Sequence, residues 1–168
     1  TALALDAYYR DFAGLSPEEK AGFNFDAPEA LDREELVGDL RQLALGHAVE
    51  IPVYDFATHA RQAATPCIEP SAFLIVEGLY ALYWTDINAL YQLKIFVAAP
   101  DALCLQRRLA RDAADRGRSP ASIRTQYLHQ VRPMYQRHIH PTAHSADLLL
   151  DGGDPIEAQI DEILTYLR

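Results

Sequence analysis

The chain has 168 residues, 49% of them hydrophobic, with 24 acidic residues against 15 basic ones and a formal net charge of −9. This is the composition of one compact domain with a substantial core, and it excludes disordered and fibrous classes. No apolar run approaches the roughly 20 residues that span a bilayer, and residues 1–15 lack a secretion-signal pattern, so the expectation is a cytoplasmic protein without a membrane partner. Cys67 and Cys104 follow no metal or redox spacing and read as reduced thiols. A pI near 5.0 argues against sequence-independent binding of nucleic acid, which needs a broad basic surface.

The first apolar run, TALAL at 1–5, is followed at once by Asp6, Tyr8, Tyr9 and Arg10. Ser16-Pro17-Glu18-Glu19 and Asp32-Arg33-Glu34-Glu35 have the form of capping-box helix starts. The second feeds the stripe Leu36, Val37, Leu40, Leu43 and Ala44, which stops before Gly46. Residues 48–56, AVEIPVYDF, alternate, and Pro52 restricts such a strand to an edge, which predicts a small peripheral hairpin over 48–61. FLIV at 73–76 runs into Glu77-Gly78, LKIFV at 93–97 precedes a helix that Asp101 can cap, and ADLLL at 146–150 runs into Asp151-Gly152-Gly153-Asp154. Ser119-Pro120 starts another helix, whose regular part Pro133 should kink or end, and Asp154-Pro155 opens the last one.

Four short, nearly unalternating apolar runs separated by helical sequence are the habit of strands buried on both faces, and they predict an α/β doubly wound parallel sheet. In such sheets ligands lie beyond the carboxyl ends of the strands, where Asp6, Glu77 and Asp154 fall. Paired carboxylates there suit a general base and a magnesium ligand, although each alone also reads as a cap or turn residue. Five of the 15 basic residues, Arg107, Arg108, Arg111, Arg116 and Arg118, fall within residues 107–119, beside Leu105 and Leu109 and around Gly117. A guanidinium stripe entering a glycine turn suits a mobile lid on a small phosphate-bearing anion; the plainer reading is a solvated face partnered by Asp112 and Asp115. His138, His140 and His144 match no compact metal-binding spacing.

The strings DAYYR at 6–10, NFDAP at 24–28 and IPVYDFATH at 51–59 resemble the uridine kinase (uridine-cytidine kinase) family. Glu77-Gly78, the arginine segment with RDAADRGR, Gln126-Tyr127 and Pro141-Thr142 follow in the same order, so the resemblance covers nearly the whole chain. It implies a P-loop kinase fold that transfers the γ-phosphoryl of ATP or GTP, with Mg2+, to the 5′-hydroxyl of uridine or cytidine in pyrimidine salvage, in a homo-oligomer. By position, the resemblance makes Asp6 the catalytic base and gives nucleoside contacts to Tyr9, Phe25, Asp26, Tyr54, Phe56, His59, Arg108, Arg118 and Gln126. It places Arg111 and Arg116 on the donor phosphates, Asp154 near the adenine and Glu77 near magnesium.

Ala7, Ala27, Ala98, Ala99 and Ala143 depart from that family's usual residues, and no GxxxxGK[ST] phosphate loop occurs in the chain. The expectation is that an N-terminal strand, phosphate loop and first helix precede Thr1 and that the 168 residues alone are inactive. Two other readings stay open at this point: a non-catalytic nucleoside-binding or regulatory protein, and a related P-loop kinase with another small acceptor such as a sugar phosphate or pantothenate.

Overall fold

The computed structural model describes residues 1–167, apart from the side chains of Asp115 and Arg116. The chain divides into two compact units, residues 1–90 and residues 91–168.

In the first unit, strand β1 (Ala2–Ala4) lies parallel to a later strand and feeds a 3-10 turn, Leu5–Tyr8. Leu3, Leu5 and Tyr8 are fully buried and anchor this turn. Helix α1 (Pro17–Gly22) begins with a complete capping box, because Ser16 accepts from the Glu19 N–H while the Glu19 carboxylate accepts from the Ser16 N–H. A 3-10 turn, Pro28–Ala30, leads to helix α2 (Arg33–Ala44), where Asp32 accepts from the Glu35 N–H. Leu36, Val37, Leu40 and Leu43 form its buried face, as the stripe predicts, whereas Ala44 in the last turn is exposed.

The predicted hairpin is present and reaches further along the chain. Strand β2 (Val49–Glu50) pairs antiparallel with a strand at Cys67–Ile68, and inside that pair β3 (Tyr54–Asp55) meets β4 (Ala60–Arg61). Numbering Cys67–Ile68 as β5, strand β6 (Ile75–Glu77) then pairs in parallel with β1, in the register Leu3↔Val76 and Ala4↔Glu77. The short helix α3 (Thr85–Asn88) closes the unit.

In the second unit, β7 (Ile95–Ala98) and β8 (Leu148–Asp151) are also parallel. Between them run α4 (Asp101–Arg116), α5 (Pro120–Gln126) and a long helical path to Ser145. The predicted cap at Asp101 is not formed. Pro100 occupies the cap position, Asp101 lies in the first turn, and its carboxylate accepts from the Tyr127 hydroxyl at 2.8 Å. Gly117 ends α4 at φ 59°, a left-handed value that glycine adopts without Cβ strain.

Pro133 does not stop the helical path. Regular α-helix gives way to π turns at Tyr127–Val131 and Tyr135–Ile139 on either side of α6 (Arg132–Met134). A proline has no N–H to give to the ladder, and wider turns absorb that loss. Helix α7 (Ile156–Tyr166) follows β8, with Pro155 at its cap position. The strands begin one or two residues later than the apolar runs that predict them, as expected where the run enters through a connecting segment.

Candidate active site

The parallel register of β1 and β6 sets two carboxylates at neighbouring strand exits. Asp6 stands two residues beyond Ala4, and Glu77 is the residue paired with Ala4. The turn that carries Asp6 is held on several sides. The Tyr8 hydroxyl donates to Asp39 Oδ2 at 2.8 Å, the Asp32 N–H donates to the Tyr8 carbonyl at 2.7 Å, and the Arg10 N–H donates to the Ala30 carbonyl at 2.9 Å. Desolvation, and after it the Asp6 charge, raise the Glu77 carboxyl from its ordinary value. The two acids therefore influence one another, which suits a divalent cation beside a general base.

An aromatic cluster follows from the hairpin and the segment at residues 23–25. Tyr9 stacks on Tyr54 with ring centroids 5.0 Å apart, and Phe56 meets both edge-on, at 5.5 Å and 5.0 Å. Phe25 stacks on the His59 imidazole at 4.1 Å, and the Tyr54 hydroxyl lies 3.4 Å from His59 Nδ1. Burial, helped by the Asp11 and Asp55 charges, pushes the Tyr54 hydroxyl up to about 12, so it remains a neutral donor at physiological pH.

The local chain explains the pose of His59. Asp55 accepts from the Ala57 N–H and the Thr58 hydroxyl, the Thr58 carbonyl accepts from Lys20 Nζ, and His59 then turns at φ 56°. Its carbonyl accepts from the Phe12 N–H at 3.1 Å. Arg61 ties this hairpin to the Asp6 turn: Nε donates to the Tyr9 carbonyl at 2.8 Å and Nη1 meets Glu35 Oε2 at 2.6 Å.

Asp26 belongs to the same unit. Burial, and then the charges of Asp6 and Asp26, raise the Tyr9 hydroxyl, which places Tyr9 within the field of both carboxylates. Thus the first unit brings together Asp6, Tyr9, Phe25, Asp26, Tyr54, Phe56, His59 and Glu77 from the residues expected to form the site.

The second unit gathers Arg108, Arg118 and Gln126. Gln126 Oε1 accepts from Arg108 Nη2 at 3.2 Å and also from Arg118 Nη1, whose Nη2 donates to Ser122 Oγ at 3.1 Å. The hub of this group is Asp112, whose side chain is 0% exposed. Its carboxylate meets Arg111 Nη2 at 2.9 Å, Arg108 Nε at 3.4 Å and Arg118 Nη1 at 3.9 Å. The sequence offers Asp112 only in the plainer reading, as a partner on a solvated face; its i,i+4 spacing from Arg108 is the local signal for a closer tie.

Arg107 points elsewhere on α4 and donates to the Gly152 carbonyl at 2.9 Å, joining the helix to the loop after β8. Asp154 sits in that loop, its N–H donating to the Asp151 carbonyl. The Arg116 side chain lies outside the described residues, and with it the lid role expected there.

Among the described residues no three His, Cys, Asp or Glu side chains converge as a metal cage, and no helix is long and apolar enough to cross a membrane. Glu77, beside Asp6, still fits magnesium, because that ion can be bound through a single carboxylate and completes its shell with water and substrate phosphates.

The Phosphoribulokinase / Uridine kinase family matches residues 4–155. Among curated proteins, "Uridine kinase" of Chloroflexus aggregans is 42% identical over 97% of this chain and 78% of its own length. "Uridine kinase" of Staphylococcus haemolyticus is 39% identical over 99% of this chain and 80% of its own. Among solved structures, the phosphoribulokinase from Rhodobacter spheroides superposes with a TM-score of 0.64 at 21% identity, covering 92% of this chain and 63% of that one. That likeness shows the fold of a P-loop kinase.

Proposed function

The chain belongs to the Phosphoribulokinase / Uridine kinase family, and from that premise we propose that it is a phosphotransferase which moves the γ-phosphoryl of ATP to the 5′-hydroxyl of uridine and cytidine, forming UMP and CMP. The observation that carries the reading is the single compact unit holding Asp6 and Glu77 at paired strand exits together with the Tyr54, His59 and Phe25 cluster.

Asp6 is the general base. It accepts the 5′-hydroxyl proton as the oxygen attacks, a contribution of about 10²–10⁴ in rate for a positioned carboxylate. Its turn is anchored through Tyr8 and Leu5, so the backbone that carries the carboxylate is held in place before the acceptor binds. Asp26 accepts hydrogen bonds from ribose hydroxyls. Tyr54 and His59 meet the polar edge of the pyrimidine; an imidazole presents a donor at one nitrogen and an acceptor at the other, so the uracil O4 and the cytosine N4 are both accommodated. Tyr9, Phe25 and Phe56 supply aromatic surface for the base.

From the second unit, Arg108, Arg118 and Gln126 are assigned to the nucleoside and Arg111 to the donor phosphates, where planar guanidinium groups stabilise charge on the transferring group. Asp154 is assigned to the border of the adenine. Glu77 would hold Mg2+, leaving Asp6 free as the base, and the ion would supply charge neutralisation to the donor phosphates when bound. The test is steady-state phosphorylation of uridine and cytidine by the full-length protein with ATP and magnesium. Turnover of both, without competition from sugar phosphates or pantothenate, is expected; absence of turnover with either nucleoside overturns the reading.

A further inference from the structure

Tyr80 lies two residues past the Glu77-Gly78 turn, 3% exposed, and its hydroxyl donates to the main-chain carbonyl of Asp26 at 2.5 Å, across 54 positions of sequence. The other side of the same residue is also fixed, because the Asp26 N–H donates to Asn24 Oδ1 at 3.1 Å. The Asp26 backbone is therefore held at both its N–H and its C=O, which restricts the directions in which its carboxylate can leave the chain. The Tyr80 ring is itself fixed by Tyr83, edge-on at 5.4 Å, and by Trp84 at 6.0 Å. Burial, followed by the Asp26 charge, raises the Tyr80 hydroxyl and keeps it a donor at any physiological pH.

We infer that Tyr80 is a positioning residue for sugar recognition, its hydroxyl locking the Asp26 backbone so that the carboxylate presents to the ribose hydroxyls of the acceptor. The inference rests on the acceptor being a ribonucleoside. It makes discrimination between ribose and 2′-deoxyribose depend on a group that does not itself touch the substrate. It also joins the exit of β6, which carries Glu77, to the segment that carries Asp26.

The experiment compares uridine with 2′-deoxyuridine as acceptors for the full-length wild-type protein, Tyr80→Phe and Trp84→Phe. Tyr80→Phe keeps the ring and removes only the donor, so its preference for uridine over 2′-deoxyuridine in kcat/KM is expected to fall about fivefold, the weight of one hydrogen bond, through a higher KM for uridine. Trp84→Phe disturbs the same aromatic cluster with the hydroxyl in place and is expected to keep the wild-type preference. An unchanged preference in Tyr80→Phe, or an equal loss in Trp84→Phe, overturns the inference while leaving the nucleoside kinase reading intact. Failure of the wild type to phosphorylate uridine overturns both.

Discussion

Gly78 approaches Leu5 so closely that a Cβ built on the glycine would stand 2.7 Å from the Leu5 Cβ, and its φ of +146° already lies where L side chains rarely go. Leu5 is 1% exposed and directly precedes Asp6. The approach therefore sets the spacing between the two strand exits that carry Asp6 and Glu77. Gly78→Ala is expected to destabilise the fold by about 1–3 kcal/mol, from backbone strain and overpacking together, and to lower kcat by displacing the Asp6 turn. Thermal unfolding and steady-state kinetics on the same sample check it; a wild-type melting temperature would show that Leu5 moves aside freely.

Asp6→Asn removes the base and keeps the shape. The turn is anchored by Tyr8, Leu5 and the Asp32 contact and not by the Asp6 side chain alone, so the fold and nucleoside affinity should survive. The expected outcome is a fall in kcat of about 10²–10⁴ with uridine affinity by calorimetry near wild type. A variant that turns over uridine at the wild-type rate would remove Asp6 from the chemistry.

Glu77 carries a pH signature. Its carboxyl titrates above the ordinary glutamate value in the folded protein, first through desolvation and then through Asp6. The folded state therefore holds its proton more tightly than the unfolded state. The sign follows: stability from this group is fully present below the unfolded value and is lost as pH rises through the folded one. Glu77 is exposed, so water screens the effect; Glu77→Gln removes that slope, and the variant should melt slightly higher than wild type at neutral pH, the gap closing below about pH 4. Melting curves from pH 4 to 8 read it directly.

The parts legible in the sequence are those with short-range causes. Four apolar runs give strands because short runs rich in branched side chains favour extended pairing, although Ile75, Val97 and Leu149 stay 65%, 55% and 60% exposed and the burial expected on both faces is not met; Ser16 with Glu19 gives a capping box because both partners lie within one turn. Asp112 was only half legible: its spacing from Arg108 is local, but Arg118 returns to it after the turn at Gly117, and that return is tertiary. Asp101 looked like a cap because it precedes an apolar stripe, yet Tyr127, 26 positions on, takes up its carboxylate. Tyr80 gave no signal, since nothing in its neighbours marks a hydroxyl that reaches Asp26.

Asp112→Asn tests the arginine hub. The carboxylate is buried while Arg108, Arg111 and Arg118 are 16%, 54% and 30% exposed at their side chains, so losing it leaves three cations with an escape to water. The cost should sit at the low end of that for breaking a buried pair, about 3 kcal/mol. Because Arg108 and Arg118 share Gln126, their release should also raise the KM for uridine. Chemical denaturation and kinetics measure the two effects separately, and an unaltered KM would show that the arginines hold their poses without Asp112.

His59 separates backbone strain from recognition. Its φ of 56° is left-handed, a region that asparagine enters far more readily than a β-branched residue. His59→Asn should therefore fold normally, keeping the Asp55 turn and the Phe12 contact to its carbonyl, while losing the imidazole that stacks on Phe25 and faces the Tyr54 hydroxyl. His59→Val should lose both stability and binding. With one hydrogen bond to a buried pyrimidine group removed, the KM for uridine and for cytidine should rise about 10–100-fold in His59→Asn, with kcat changed far less because Asp6 is untouched. The two acceptors should suffer together, since with Nδ1 at the Tyr54 hydroxyl a change of tautomer turns Nε2 from a donor for uracil O4 into an acceptor for cytosine N4. A rise confined to one nucleoside would assign the other to a different contact, and no rise at all would make His59 a loop residue that merely tolerates its turn.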